Sequence, residues 1–187
     1  MKPACHIVAL AFAAASLFLG EHSAVARSGV GTGALFSSKG CGISIVFPSS
    51  EGNAPEPSLD FIADFSGFLG GKVPACGAMV RFTDNFMIGG WDLSGGSDIF
   101  FYAGPGVSAG WVMDKGRRNY GPMAAFSADA GIAVVFRRFP VRMYFGLSAD
   151  LGIIADRGKY GKGYVLRLYK DGLQRAYFPE LKIAYAF

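Results

Sequence analysis

Histidine is absent from most of this sequence, because His6 and His22 are its only two histidines and both lie near the N-terminus. A catalytic serine is usually activated by a histidine base, and a zinc ion is usually held by histidine or by several cysteines. After residue 22 the chain offers only the thiols of Cys41 and Cys76. We therefore predict no catalytic residues, no cofactor-binding residues and no metal site, and we expect a protein that is not an enzyme.

Long apolar runs are also scarce. Residues 7–19 form one, between Lys2 and the small residues 24–26, which is the arrangement of a secretory signal peptide. We predict that residues 1–26 are removed and that residues 27–187 form one domain. No run of eighteen apolar residues follows residue 26, so the sequence predicts no transmembrane helix.

Charge is sparse and nearly balanced. Without Lys2 and Glu21, the 18 basic and 14 acidic residues become 17 and 13, and the net charge stays at +4. A nucleic-acid partner usually requires a clustered basic face, so we expect none. Hydrophobic residues nevertheless make up 51% of the chain. Because only helices and closed barrels satisfy their backbone in lipid, an exported, apolar chain without an apolar helix predicts a β-barrel.

The segment 141–153 shows the alternation of a strand with two unlike faces. Its odd positions are all apolar: Val141, Met143, Phe145, Leu147, Ala149, Leu151 and Ile153. Its even positions are polar, small or amphipathic: Arg142, Tyr144, Gly146, Ser148, Asp150 and Gly152. A period of two indicates a strand, and a membrane-spanning strand needs about nine to eleven residues. We predict that the odd positions face lipid and the even positions face the lumen.

Similar segments recur along the chain between loops rich in Gly, Pro, Ser and Asn. They predict eight strands, at residues 40–47, 58–69, 75–83, 98–113, 122–136, 141–153, 164–169 and 177–187. The first could begin as early as residue 33, and residues 164–169 could instead belong to one long outer excursion. The predicted fold is all-β, an eight-stranded antiparallel up-and-down transmembrane β-barrel.

The loops predict which end of the barrel faces out, but they conflict. Residues 48–57 and 84–97 form the longer set, which favours placing them outside the cell and Phe187 in the periplasm. The short turn at residues 137–140 then also lies outside, which is atypical because short turns usually face the periplasm.

The inward faces of the predicted strands carry charges of both signs. This predicted lumen network comprises Asp60, Asp64, Arg81, Asp129, Arg142, Asp150, Arg167, Glu180 and Lys182. Charges screened from water need partners, so we interpret the set as a salt-bridged filling of the lumen. A polar ligand site or a proton path is the alternative. Asp60 and Asp64 lie about 13 Å apart along one strand, too far to share a proton as a catalytic acid pair.

Two cysteines remain after export, and an exported chain can form a disulfide. Cys41 and Cys76 begin the first and third predicted strands. Strands two apart are separated by nearly 10 Å, whereas a disulfide requires Cα atoms within about 7 Å. We expect the two thiols to stay unpaired.

The final residues carry a family resemblance. Leu181, Ile183, Tyr185 and Phe187 alternate up to a terminal aromatic residue, which resembles the C-terminal strand of bacterial outer-membrane β-barrels. Residues 101–111, Phe-Tyr-Ala-Gly-Pro-Gly-Val-Ser-Ala-Gly-Trp, resemble a strand of small outer-membrane barrels of the Bacteroidetes type. The resemblance implies a Gram-negative outer-membrane location, contact with membrane lipid, and an assembly signal that is read by the barrel assembly machinery. It implies no substrate and names no surface partner.

Two functions are consistent with these observations. The first is a non-enzymatic outer-membrane barrel with a filled lumen, which has a structural role or binds a partner through its loops. The alternative is a small, porin-like transport pore for ions or small polar solutes.

Overall fold

The computed structural model describes residues 29–47, 55–69, 71, 76–93, 96–117, 119–157 and 163–187. The predicted signal peptide, residues 1–26, lies outside these ranges. None of the helices in the described ranges is both long and apolar enough to cross a membrane.

Strands dominate the described residues. The strands are β1 (Gly31–Ser37), β2 (Gly40–Val46), β3 (Glu56–Asp64), β4 (Gly77–Leu93), β5 (Ser97–Met113), β6 (Tyr120–Phe136), β7 (Val141–Arg157), β8 (Tyr164–Leu168) and β9 (Pro179–Ala186). Two short helices, α1 (Ser66–Leu69) and α2 (Lys170–Gln174), and a 3-10 turn at Arg175–Tyr177 complete the described elements. β4 to β7 are each 17 residues long.

Eight of the described strands close into an antiparallel barrel. Each of β1 to β6 pairs with the strand that follows it, β7 pairs with β9 and β9 pairs with β1. The predicted all-β, eight-stranded antiparallel up-and-down barrel is thus confirmed as a fold. β8 stands outside this ring, paired with the last residues of β7 through Ile153–Leu168 and Arg157–Tyr164.

The strand register fixes the tilt of the barrel. Successive paired residues, starting on β7, are Leu151, Phe126, Val107, Phe82, Leu59, Ile45, Thr32 and Tyr185, which pairs with Val141 back on β7. One circuit therefore shifts the register by ten residues. This shift is about 33 Å along a strand against about 38 Å around eight strands, which gives a tilt of about 40°.

The two faces of β7 are as the alternation predicts. Phe145, Leu147, Leu151 and Ile153 are exposed on the outer wall, with Leu147 46% and Leu151 55% accessible. Tyr144, Ser148, Asp150 and Ile154 are buried inside, with Asp150 fully inaccessible. The outer wall is therefore apolar and the interior is largely polar.

The predicted number of barrel strands is right, but two assignments are wrong. The sequence prediction took residues 164–169 as a ring strand, whereas β8 lies off the ring and β1 supplies the missing member. β1 and β2 are joined by only Ser38 and Lys39. A turn this short leaves no loop signal in the sequence, so the sequence predicts one strand, at residues 40–47 or from residue 33, where the structure has two.

The end of β3 also differs from the prediction, which extended this strand to residue 69. The backbone N–H and hydroxyl of Ser66 donate to Oδ1 of Asp64 at 2.9 and 2.5 Å. These local hydrogen bonds turn the chain out of the sheet, and α1 follows.

The long loop predicted at residues 84–97 is mostly sheet. β4 continues to Leu93, which pairs with Ser97 at the start of β5. The register shifts between Met87 and Gly89, so the glycines that indicated a loop accompany a bulge in continuous strands.

The predicted placement of the connections relative to Phe187 is wrong as well. The prediction lacks β1 and counts residues 164–169 as a ring strand, so it puts the connections at residues 48–57, 84–97 and 137–140 at the end opposite Phe187. The β2–β3, β4–β5 and β6–β7 connections leave from the same end as Phe187, since Val46 pairs with Gly31 and Val141 with Tyr185 at that end. The short turn at residues 137–140 therefore lies at the same end of the barrel as Phe187.

Candidate functional site

Arg81 is the hub of an ion-pair network inside the barrel. Its side chain is 1% accessible. Its Nη2 lies 2.9 Å from Oδ2 of Asp60 and 2.7 Å from Oε2 of Glu180, and its Nη1 lies 3.4 Å from Oδ1 of Asp129. One guanidinium thus contacts carboxylates from three other strands, which only a closed barrel brings together.

Strand register places the partners of Asp60 beside it. Arg81 on β4 and Ser44 on β2 are its direct cross-strand neighbours, and the Ser44 hydroxyl donates to its Oδ1 at 2.6 Å. From β9, Nζ of Lys182 reaches the same carboxylate at 2.9 Å and the hydroxyl oxygen of Ser58 at 3.1 Å. The Asp60 carboxylate, which is fully buried, is therefore compensated by two cations and a hydroxyl.

A second buried arginine comes from outside the strands. Arg175 lies in the 3-10 turn, and its Nη1 donates to Oδ2 of Asp150 at 2.7 Å. Its Nη2 forms an ion pair with Glu180, which also accepts from Ser148 at 2.6 Å. Ser127 donates to Asp150 at 2.6 Å. The segment between β8 and β9 therefore folds back into the interior and completes its charge balance.

The interior contains eight of the nine predicted network residues. Six belong to the groups around Arg81 and Arg175 or to the Lys182 branch, namely Asp60, Arg81, Asp129, Asp150, Glu180 and Lys182. Asp64 and Arg142 lie in separate groups near the two ends. Arg167 is a wrong assignment: it is exposed on β8, because that strand leaves the ring and its side chains do not line the lumen.

The end of the barrel opposite Phe187 is closed by Lys39. Its Nζ donates to the carbonyl oxygen of Met113 at 2.5 Å, lies 3.7 Å from Asp64 and forms an ion pair with Asp171 of α2. The backbone N–H of Asp171 donates to Oδ1 of Asp114 at 2.9 Å. These contacts hold α2 across the barrel end.

The end near Phe187 has its own buried group. Arg142 lies 2.5 Å from Oε1 of Glu56, and the Tyr144 hydroxyl donates to Oε2 of the same carboxylate at 3.2 Å. The Tyr144 ring stands edge-on to Tyr102, with ring centroids 5.7 Å apart. Aromatic rings and an ion pair thus fill this part of the lumen.

Apolar side chains also point inward, which the sequence prediction missed. One buried cluster comprises Leu35, Ile62, Met79, Val112, Met123, Ile154 and Tyr169. Ile62, Met79, Val112 and Met123 occupy positions on the faces that the alternation of their strands predicts to be polar. A second, separate buried cluster contains Val46, Tyr102, Ala133, Tyr144 and Ala184. The barrel interior therefore holds two apolar clusters in addition to the ion pairs.

Little free space remains around the central network. A cavity of about 10 Å³ lies there, and the residues that line it include Arg81, Tyr102, Asp129, Glu180 and Lys182. This is close to the space that a single water needs. Oδ1 of Asp129 forms no hydrogen bond with a described residue. The geometry fits a filled interior with room for one small polar molecule.

The sequence prediction also missed several interior charges. Lys39, Glu56, Asp114 and Arg175 are all buried. Lys39 lies in a two-residue turn, and Arg175 lies between strands, so neither has an alternating pattern around it. Glu56 opens β3 within a stretch that its prolines marked as a loop.

The turn near Phe187 is tied to the neighbouring hairpin by exposed ion pairs. Nη2 of Arg137 lies 2.5 Å from Asp98 and 2.9 Å from Asp92. The hydrogen bond to Asp98, with that to Asp92, raises the pKa of the Arg137 guanidinium above its ordinary value. The positive charge at this turn is therefore constant at any physiological pH.

The predicted assembly residues lie along the outward face of β9 and the residue after it. Ile183 and Phe187 are exposed, and Leu181 and Tyr185 are half-buried. The Tyr185 and Phe187 rings contact each other edge-on at 5.3 Å. Their role in insertion stays a prediction. Cys41 and Cys76 are both free thiols.

Neither side-chain clusters nor known proteins assign a chemistry to this interior. Among the residues that the structure describes, no three or more His, Cys, Asp or Glu side chains are grouped so as to hold a metal ion. The chain matches no family model, and comparisons with curated proteins and with solved structures found no match.

Proposed function

We propose that this chain is a non-enzymatic integral β-barrel of a Gram-negative outer membrane, with a filled lumen and a structural or loop-mediated binding role. The observation that carries the proposal is the reversed polarity of the barrel. A protein surrounded by water exposes its charges and buries its apolar side chains. This barrel has Phe126 at 75% accessibility on its wall, whereas Arg81 and Asp150 are at most 1% accessible inside.

The apolar wall is continuous, which supports contact with lipid. Exposed residues of this wall include Ile43, Phe61, Val80, Phe82, Phe101, Val107, Trp111, Phe126, Phe145, Leu147, Leu151 and Ile153. Monomeric soluble proteins rarely expose apolar patches larger than a few hundred Å². A bilayer is the partner that covers a barrel on all sides.

The interior supports a filled lumen rather than a pore. Eight strands enclose a space only wide enough for side chains. Here that space holds the ion pairs of Arg81 and Arg175 between two apolar clusters. A conducting path would require these buried pairs to separate, which is costly.

The end opposite Phe187 supports loop-mediated binding. Termini of such barrels lie in the periplasm and the longer connections face outward. At that end β8 presents Tyr164 and Leu166, both more than half exposed. These side chains are available to a partner at the cell surface.

Fractionation of a Gram-negative host that expresses the full chain tests the proposal. We expect the protein in the outer-membrane fraction, starting near Arg27, and migrating faster on gels before boiling than after it. A matched chain that lacks residues 1–26 should stay in the cytoplasm. Recovery of the full chain as a soluble periplasmic protein would refute the membrane assignment.

A further inference from the structure

We propose that a groove in the outer wall seats an acyl chain of a lipid whose phosphate headgroup contacts the basic rim of the barrel. This inference rests on the proposed membrane location. General contact with lipid needs neither a fixed place nor a particular headgroup, whereas this lipid has one place on the wall and a phosphate headgroup.

The groove follows from the strand register. One row of paired outward residues runs Phe82, Val107, Phe126 and Leu151 across β4 to β7. The next row towards the end opposite Phe187 runs Val80, Ala109, Ala124, Ile153 and Leu168. The paired alanines Ala109 and Ala124 therefore lie beside a row of large side chains. Because their side chains are small, the wall is depressed where they lie.

The structure contains the depression that this register implies. A groove of about 780 Å³ is lined by residues of both rows, including Phe82, Ala109, Ala124, Phe126 and Leu168. Its side chains are apolar apart from that of Ser108. An apolar groove on a surface that we assign to lipid suits a hydrocarbon chain better than a polar ligand.

The groove lies close to the barrel end that carries positive charge. Ala109 precedes the end of β5, Met113, by four residues, roughly 13 Å along the strand. Three charged side chains are exposed at that end among the residues that the structure describes, and all three are basic: Lys115, Arg167 and Lys170. The nearby acids are already engaged, Asp156 with Arg117 at 3.0 Å and Asp171 with Lys39.

The positive charge of this rim favours a lipid with a negatively charged headgroup. A lipid with its chain in the groove places its headgroup at this rim, where free cations favour phosphate. The opposite rim has a weaker bias, because exposed Asp92 there offsets Arg137 at 2.9 Å and leaves Arg138 as its excess exposed cation among the described residues. A zwitterionic lipid gains the same apolar contact but less from the rim, so we expect selection by headgroup.

The two tryptophans of the chain provide the assay. Trp111 follows Ala109 by two residues on the same outward face and is 49% exposed, whereas Trp91 lies near the β4–β5 turn at the other end. A Trp91→Phe variant leaves Trp111 as the sole tryptophan, and Trp111→Phe leaves Trp91. Refolded protein in detergent micelles is titrated with phosphatidic acid or phosphatidylcholine that carries brominated chains, which quench nearby tryptophan fluorescence.

We expect phosphatidic acid to quench Trp111 at a several-fold lower fraction than phosphatidylcholine, and Trp91 to show no such difference. Lys115→Gln with Lys170→Gln should remove most of the preference, because these are two of the three exposed cations that the structure describes at this rim. Ala124→Phe should fill the groove and weaken quenching by both lipids. Ala130→Phe, on the same strand and outward face but outside the groove, and Arg138→Gln at the opposite end are the matched controls.

The outcomes separate this inference from the proposed function. Equal quenching by the two lipids, or equal effects of Ala124→Phe and Ala130→Phe, would overturn the lipid seat even if the protein fractionates with the outer membrane. If Ala124→Phe keeps the preference for phosphatidic acid, the rim binds phosphate without an acyl chain in the groove. If Ala124→Phe changes the oligomeric state, a second copy of the protein covers the groove. Both results would also overturn it. Because the assay uses micelles, a wrong cellular location would leave its result unchanged.

Discussion

Arg175 donates a hydrogen bond to Asp150 at 2.7 Å inside the barrel. Asp150 belongs to β7, whereas Arg175 lies in the 3-10 turn, outside the barrel strands. Arg175 also forms an ion pair with Glu180. The segment between β8 and β9 is therefore part of the lumen filling, and the barrel interior is complete only when this segment is folded inward.

Replacing Arg175 should destabilise the barrel strongly. Arg175→Met leaves Asp150 and Glu180 buried with fewer partners, and breaking a buried pair in this way costs about 3–5 kcal/mol. The free energy of unfolding in detergent, measured by denaturant titration, tests this. Arg167→Met on exposed β8 is the matched control and should change stability by less than about 0.5 kcal/mol. Equal stability of the two variants would mean that Arg175 is not part of the interior.

A charge on the outer wall should be costly in proportion to its depth. Leu147, near the middle of β7, is 46% exposed, and Phe139 in the β6–β7 turn is 64% exposed. In a bilayer, Leu147→Arg should cost about 2–4 kcal/mol and Phe139→Arg at most about 1 kcal/mol. Equilibrium folding into lipid vesicles measures both. If the two substitutions cost the same, the wall does not face hydrocarbon at residue 147.

Phe187 should matter for assembly more than for stability. It is 44% exposed and contacts Tyr185 at the end of the chain, so its removal deletes little buried surface. Deleting Phe187 should lower the yield in the outer membrane of cells while refolding in detergent stays near normal. Equal cellular yields with and without this residue would mean that Phe187 is not part of an assembly signal.

The alternation of polar and apolar residues predicts most of the polar strand side chains that enter the barrel. Asp60, Arg81 and Glu180 were predicted to face inward because each lies between two outward apolar residues of its strand. Their pairing could not be predicted, since it depends on the register that sets Asp60 opposite Arg81 and on closure that brings Glu180 to the same guanidinium.

The features that sequence reasoning missed share a physical cause. Ile62 and Met79 lie on the face predicted to be polar, but a small lumen needs apolar filling as well as ion pairs. Lys39 and Arg175 lie in a tight turn and a 3-10 turn, where a period of two does not apply. Tertiary folding alone brings these residues into the interior.

Single-channel conductance of refolded residues 27–187 in a planar bilayer tests the filled-lumen barrel most directly. A barrel of eight strands whose interior holds Arg81 and Arg175 in ion pairs should give no steady openings, at a protein load where a sixteen-stranded porin conducts readily. Insertion must be verified in the same bilayers by protease protection. Steady openings of porin size from inserted protein would contradict the filled lumen and favour the transport pore.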